Sequence, residues 1–243
     1  MLDIPIEDLI SVFFVMIAVI ITLTISVKSF RSYHATKATL TVLIALSSLF
    51  VAFAMTFLTL EKAFFTDTLP IFNLDLGMLF GAIAIVVSGV AVIMFDLFAY
   101  EMAFPKKMAI LGVFSAIPII IYLAFWLWDP TRTYSALPPY EIDFGNLFGL
   151  GFEFTPMLAY LILIPMFSIP IIILFYYAGK VRKESALKSK RALGLGLGGL
   201  FLATAYIIEI TGMDPIITTG FRSFFIFSGI FFYWALFKLK SKE

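Results

Sequence analysis

Residues 179–191 read Gly179-Lys-Val-Arg-Lys-Glu-Ser-Ala-Leu-Lys-Ser-Lys-Arg191 and hold six of the chain's 17 Lys and Arg residues. The six are Lys180, Arg182, Lys183, Lys188, Lys190 and Arg191. Long apolar segments flank this stretch on both sides. A helix needs about 20 apolar residues to cross the hydrocarbon core of a bilayer, and short basic loops between such helices stay in the cytosol. The stretch is therefore expected to be an inner loop, and placing it fixes the side of every other loop.

Working outward, seven apolar segments are long enough to span: 9–29, 38–60, 75–100, 108–128, 154–178, 192–212 and 216–237. Their apolar runs are continuous rather than alternating, which argues against the strands of a barrel. The expected fold is all-α: one polytopic membrane domain over residues 1–243, a seven-transmembrane helix bundle. Composition agrees, because 14% of residues are charged where soluble domains carry roughly 25%. The mean hydropathy is +1.05.

The remaining bases set the topology. Lys28, Arg31 and Lys37 follow the first span, Lys106 and Lys107 the third, and Lys238, Lys240 and Lys242 the seventh. With the six above they fall on one side; the other side has Lys62 and Arg132, and Arg222 lies within the last span. The N-terminus is thus expected outside and the C-terminus in the cytoplasm of a cell membrane. The acids Asp3, Glu7, Asp8, Glu61, Asp67, Asp75, Asp129, Glu141, Asp143, Glu153 and Asp214 gather on the outer side. A cleavable signal peptide needs a basic start, whereas this chain starts Met1-Leu-Asp-Ile-Pro-Ile-Glu-Asp8. The first apolar segment is therefore expected to be a retained span.

Most loops are short. The outer segment 129–153 is the exception, and it is rich in aromatics, Pro and Gly. Long loops are usually functional or disordered, and disordered segments lack aromatics, so this one is expected to fold as a cap over the outer helix ends. Gly77, Gly81, Ser88 and Ala91 on span three, and Ala192, Gly194, Gly196 and Gly198 on span six, give the small-residue spacing that lets helices approach closely. Pro118, Pro156, Pro165 and Pro170 are kink sites on spans four and five.

Three charges within spans are functional candidates by default. Arg222 lies about six residues into span seven, roughly 9 Å deep, and Glu209 precedes the outer turn Gly212-Met-Asp-Pro215. The two are expected to face each other near the outer surface. Asp214 and Pro215 suit the N-cap and first position of span seven. Counted from Asp75, Asp96 falls near the inner interface, where a solvated ion pair or a latch onto the basic loop is expected; Glu101 follows it.

Enzyme chemistry finds little here. The chain has one His and no Cys, which leaves no thiolate nucleophile and no metal-ligand cluster. No catalytic residue, metal or cofactor is assigned, and nucleic acid is not expected as a partner. Gly194-Leu-Gly-Leu-Gly-Gly199 matches a dinucleotide-binding spacing formally. That motif needs a strand before it, and here a basic loop precedes it, so helix packing explains the glycines better. A retinal protein needs a Lys deep in the last span, and Pro215 to Leu236 contains none.

Seven helices with an outer N-terminus are also the plan of G-protein-coupled receptors, but span three ends Ala99-Tyr-Glu101 without an adjacent Arg, and span seven has no Asn-Pro pair. Trp126-Leu-Trp-Asp-Pro130 closing span four, the long outer loop, and the basic loop running into Arg191-Ala-Leu-Gly194 resemble the seven-helix sensor region of some prokaryotic histidine kinases. The resemblance implies a sensor that passes a signal inward. Up to Glu243 the sequence carries no kinase, cyclase or phosphatase, so a stand-alone version is expected to signal through a partner or to do something else.

The first expectation is a receptor-like sensor. It binds a small or lipid-like ligand near the outer face through Trp126, Tyr160, Tyr206, Glu209 and Arg222. Asp96, Glu101, Lys180, Arg182, Lys183 and Arg191 form the inner-face switch or partner contact. Its partners are the lipid bilayer, anionic lipid at the inner face and a cytosolic signalling protein. The alternatives are a transporter or channel, which a parallel three-plus-one-plus-three arrangement permits, and a scaffold for another membrane protein.

Overall fold

The computed structural model describes residues 6–64, 76–128, 142–143, 153–154, 156–210 and 215–239. Seven long helices order the chain: α1 (Ile6–Thr36), α2 (Thr39–Phe64), α3 (Leu76–Ala103), α4 (Met108–Trp128), α5 (Pro156–Val181), α6 (Ala186–Ile210) and α7 (Pro215–Tyr233). A 3-10 turn, Pro105–Lys107, joins α3 to α4, and a π-turn, Trp234–Lys238, prolongs α7. Of the expected cap, the described part is a two-residue antiparallel ladder, Ile142–Asp143 against Glu153–Phe154.

Six of the helices, all but α4, have described stretches long and apolar enough to cross a membrane. The side chains of the whole bundle, α4 included, are sorted as a bilayer requires. Phe13, Ile110, Phe114, Ile120 and Ile172 point outward, while Ser11, Thr22, Ser26, Ser29, Ser47, Ser48, Ser88, Ser115 and Ser228 are buried. A water-soluble bundle does the reverse. With lipid as the outer solvent, hydroxyls gain from facing other helices, where they hydrogen-bond across the seam. Ser26 Oγ donates to the Ala45 carbonyl at 2.9 Å and Ser47 Oγ to the Ala91 carbonyl at 3.0 Å, tying α1 to α2 and α2 to α3.

The helices α1, α2, α3, α5, α6 and α7 form a closed ring, each packed on the next and α7 back on α1, while α4 packs outside it against α3 and α5. The most enclosed spans are α3 and α6, with 53% and 50% of their windows buried against 33–39% for the other four spans. Glycine explains the tightness around α6. A Cβ on Gly194 would meet Trp234 and Ala235 at 3.0 Å, and one on Gly198 would meet Phe232 and the Ser228 carbonyl at 3.2 Å, both across the seam to α7 and its π-turn. On the opposite side, Gly196 abuts Phe175 of α5, and Gly199 abuts Ile171 of α5 and Phe95 of α3. The formal dinucleotide spacing is thus a set of helix contacts.

Two sequence expectations shift. Residues 179–191 are mostly helical: α5 runs to Val181 and α6 starts at Ala186, leaving a four-residue turn. Lys and Arg are good helix formers, their long stems let the charge reach water from a helix end, and Ser185 accepts a hydrogen bond from the Lys188 N–H at 3.3 Å to cap α6. Pro156 opens α5 rather than bending it, so the internal prolines are Pro118 in α4 and Pro165 and Pro170 in α5. A proline at the first helical position removes only an N–H that has no intrahelical acceptor.

Candidate functional site

Inside the ring, α2, α3, α5 and α6 enclose a cavity of about 40 Å³. Ser47, Val51 and Met55 of α2, Ser88 and Phe95 of α3, Phe167 and Pro170 of α5, and Gly199, Leu202 and Tyr206 of α6 line it. A second cavity of about 20 Å³ adjoins it, sharing Ser47, Val51, Met55, Phe95 and Leu202 and adding Thr22, Phe225 and Ser228. One water needs about 10–15 Å³ by this measure, so the larger space holds a few small groups. Its serines are already engaged: Ser47 bonds the Ala91 carbonyl, and Ser88 bonds the Ile85 carbonyl at 2.8 Å. What remains is an apolar lining, suited to hydrocarbon and unsuited to a charged ligand.

Of the expected outer-face residues, Tyr206 lines this cavity and its ring packs on Phe167 at 5.3 Å. Arg222 is buried, 3% exposed, and donates from Nη1 to the Ser11 hydroxyl of α1. It therefore bridges the first and last helices of the ring. The side chains of Trp126, Tyr160 and Glu209 lie outside the described residues, so the expected Glu209–Arg222 pairing does as well.

At the end of the bundle that carries the basic residues, Lys180, Arg182 and Lys183 are exposed and Glu101 is half-buried. Arg191 Nη2 donates to the Leu239 carbonyl at 2.7 Å, holding α6 to the end of the π-turn. Lys28 Nζ lies 2.5 Å from the Tyr233 hydroxyl and 4.6 Å from the centre of its ring, joining α1 to α7.

Asp96 requires a correction. Depth along α3 made it an interfacial, solvated residue, but its side chain is 1% exposed. The reason is lateral: α4 covers this face of α3, with Gly112 set against Leu97 and Ser115 bonded to Tyr100. Both Asp96 carboxyl oxygens are buried without a hydrogen-bond partner, so the residue forms neither the solvated ion pair nor the latch to residues 179–191 in this structure. Sequence reasoning also missed Ser11 and Ser115. Tyr100 is a helical neighbour of Asp96 four residues on, but nothing in a sequence pairs α3 with Ser115 or Arg222 with a serine in the first helix.

Among the described residues no group of three or more His, Cys, Asp or Glu side chains could hold a metal. The chain matches no protein-family model, no curated protein and no solved structure.

Proposed function

We propose that the chain is a seven-span, receptor-like membrane sensor that binds a small apolar or lipid-like ligand and signals to a cytosolic partner. In this reading α1 starts outside, the basic end faces the cytosol, and no catalytic step is involved. One observation carries it: the ring cavity is lined by Pro170 on α5 and Gly199 on α6, the two helices joined by the exposed basic turn. A group entering the cavity presses on the pair of helices that ends in Lys180, Arg182 and Lys183. Proline leaves a carbonyl of α5 unpaired and makes that helix the easier one to bend. The exposed bases then meet the partner or anionic headgroups.

The test uses a diazirine-bearing fatty-acid methyl ester, which carries no charge, with the full chain in nanodiscs, followed by mapping of the labelled residues. Label on the cavity-lining residues of α2, α5 and α6, lost when Leu202→Trp fills the space, is expected. Label confined to outward residues such as Ile172 and Phe227 would overturn the reading.

A transporter is the second reading, favoured by the two adjoining cavities within a six-helix ring from which α4 stands apart. Movement of the same ester across proteoliposomes, with no effect of Leu202→Trp on the basic turn, would select it.

A further inference from the structure

Asp96 points to a second site, away from the central cavity. Its carboxyl is enclosed between α3 and α4, beside the Ser115 hydroxyl, which lies 2.5 Å from the Tyr100 hydroxyl. No base reaches it. On α3 the other titratable groups here are Tyr100 and Glu101. The described side chains of α2 and α4 include none that titrates. The turn before α4 carries Lys106 and Lys107, both exposed, and α5 carries Tyr176, Tyr177 and Lys180, with Tyr176 stacked on Phe104 at 5.9 Å and Lys180 exposed.

A carboxylate enclosed in a span without a counter-charge is far less stable than the neutral acid. The neutral acid also fits its neighbour. A serine hydroxyl donates once and accepts twice. Ser115 Oγ donates to the Leu111 carbonyl at 3.3 Å and has room to accept from Tyr100 and from a protonated Asp96. We propose that Asp96, Ser115 and Tyr100 form a proton-binding site in the seam between α3 and α4, and that loss of the proton opens this seam.

The fold supplies the moving part. Helix α4 stands outside the ring against α3 and α5, and it hangs on Phe104, whose backbone (φ −141°, ψ 57°) breaks the helix before the three-residue turn. When the acid O–H breaks, its proton passes to water at the basic end and the electron pair stays on the carboxylate. The new anion is stabilised by water and by the approach of Lys106 and Lys107. Undocking α4 gives it both. The site stands whether or not the ring cavity takes a ligand.

The absence of cysteine makes the seam directly measurable. A Leu97→Cys, Gly112→Cys pair reports docking, because a Cβ on Gly112 would touch the Leu97 side chain. With the full chain in nanodiscs, copper-phenanthroline cross-linking is followed from mildly acid to mildly alkaline pH, alongside the same pair carrying Asp96→Asn. The cross-linking rate of the pair with Asp96, relative to that with Asn, is expected to fall several-fold as pH rises. A constant ratio would overturn the opening. Infrared spectra of the unmodified chain at mildly acid pH should show a protonated-carboxyl carbonyl stretch that Asp96→Asn lacks. Its absence would overturn the proton site itself, even if the cysteine pair failed to fold.

Discussion

Arg222 and Asp96 are both ionisable side chains buried among apolar helices, 3% and 1% exposed, yet they sit in opposite situations. Arg222 has a partner in Ser11 on another helix of the ring. The Asp96 carboxyl oxygens make no hydrogen bond of normal geometry, and beside them lies the Ser115 hydroxyl of α4, the helix outside the ring. A buried charge that is hydrogen-bonded fixes the groups around it, and one that is not makes its surroundings conditional on its protonation. Arg222 is therefore read as a fastener between α1 and α7, and Asp96 as a release at the edge of the bundle.

The contrast is broken most severely at Arg222. Arg222→Ala should lower unfolding stability in mild detergent by about 3 kcal/mol, because a charged hydrogen bond is lost and a void opens in a buried seam. If unfolding is unchanged and only ligand labelling is lost, the fastener reading fails and Arg222 belongs to a binding site. Asp96→Asn should move stability the other way, by about 1–2 kcal/mol upward at mildly alkaline pH, since it removes a group that ionises without a counter-charge. At acid pH the gain should vanish; a loss of stability at every pH would mean that the carboxyl has an essential partner.

The neighbouring hydroxyls, Ser11 and Ser115, give a finer comparison. Ser11→Ala should cost about 1 kcal/mol by removing one acceptor from the buried Arg222 guanidinium, and a double-mutant cycle with Arg222→Ala should show that the two effects do not add. Ser115→Ala should cost less, about 0.5 kcal/mol, as intramembrane hydroxyl bonds do on average. Equal effects at the two serines would erase the distinction between fastener and release.

The helices could be read from apolar run length because backbone hydrogen bonding in lipid leaves few alternatives to a helix. What run length misplaced was where helices stop. Thr36 ends α1 well beyond the expected end at residue 29, and α6 begins at Ala186 among Lys188, Lys190 and Arg191, because a helix can leave the hydrocarbon and continue with basic side chains. The glycines of α6 were legible as close-packing residues, although which faces meet α5 and which meet α7 was not. The burial of Asp96 was illegible for a geometric reason. Counting residues along a helix gives depth in the bilayer but says nothing about which neighbour covers a given face.

The Arg222–Ser11 bond joins residues 211 positions apart. A ribosome makes α1 long before α7, so on the membrane reading α1 inserts with one flank unmatched until α7 follows. Ser11, Val15 and Ala18 are buried in the finished ring, and before α7 is made that flank of α1 lacks its final neighbour. Closing so long a loop is slow rather than strongly unfavourable. Lesions in α7 should therefore appear first as chains caught by membrane quality control, before any defect in the assembled protein can be measured.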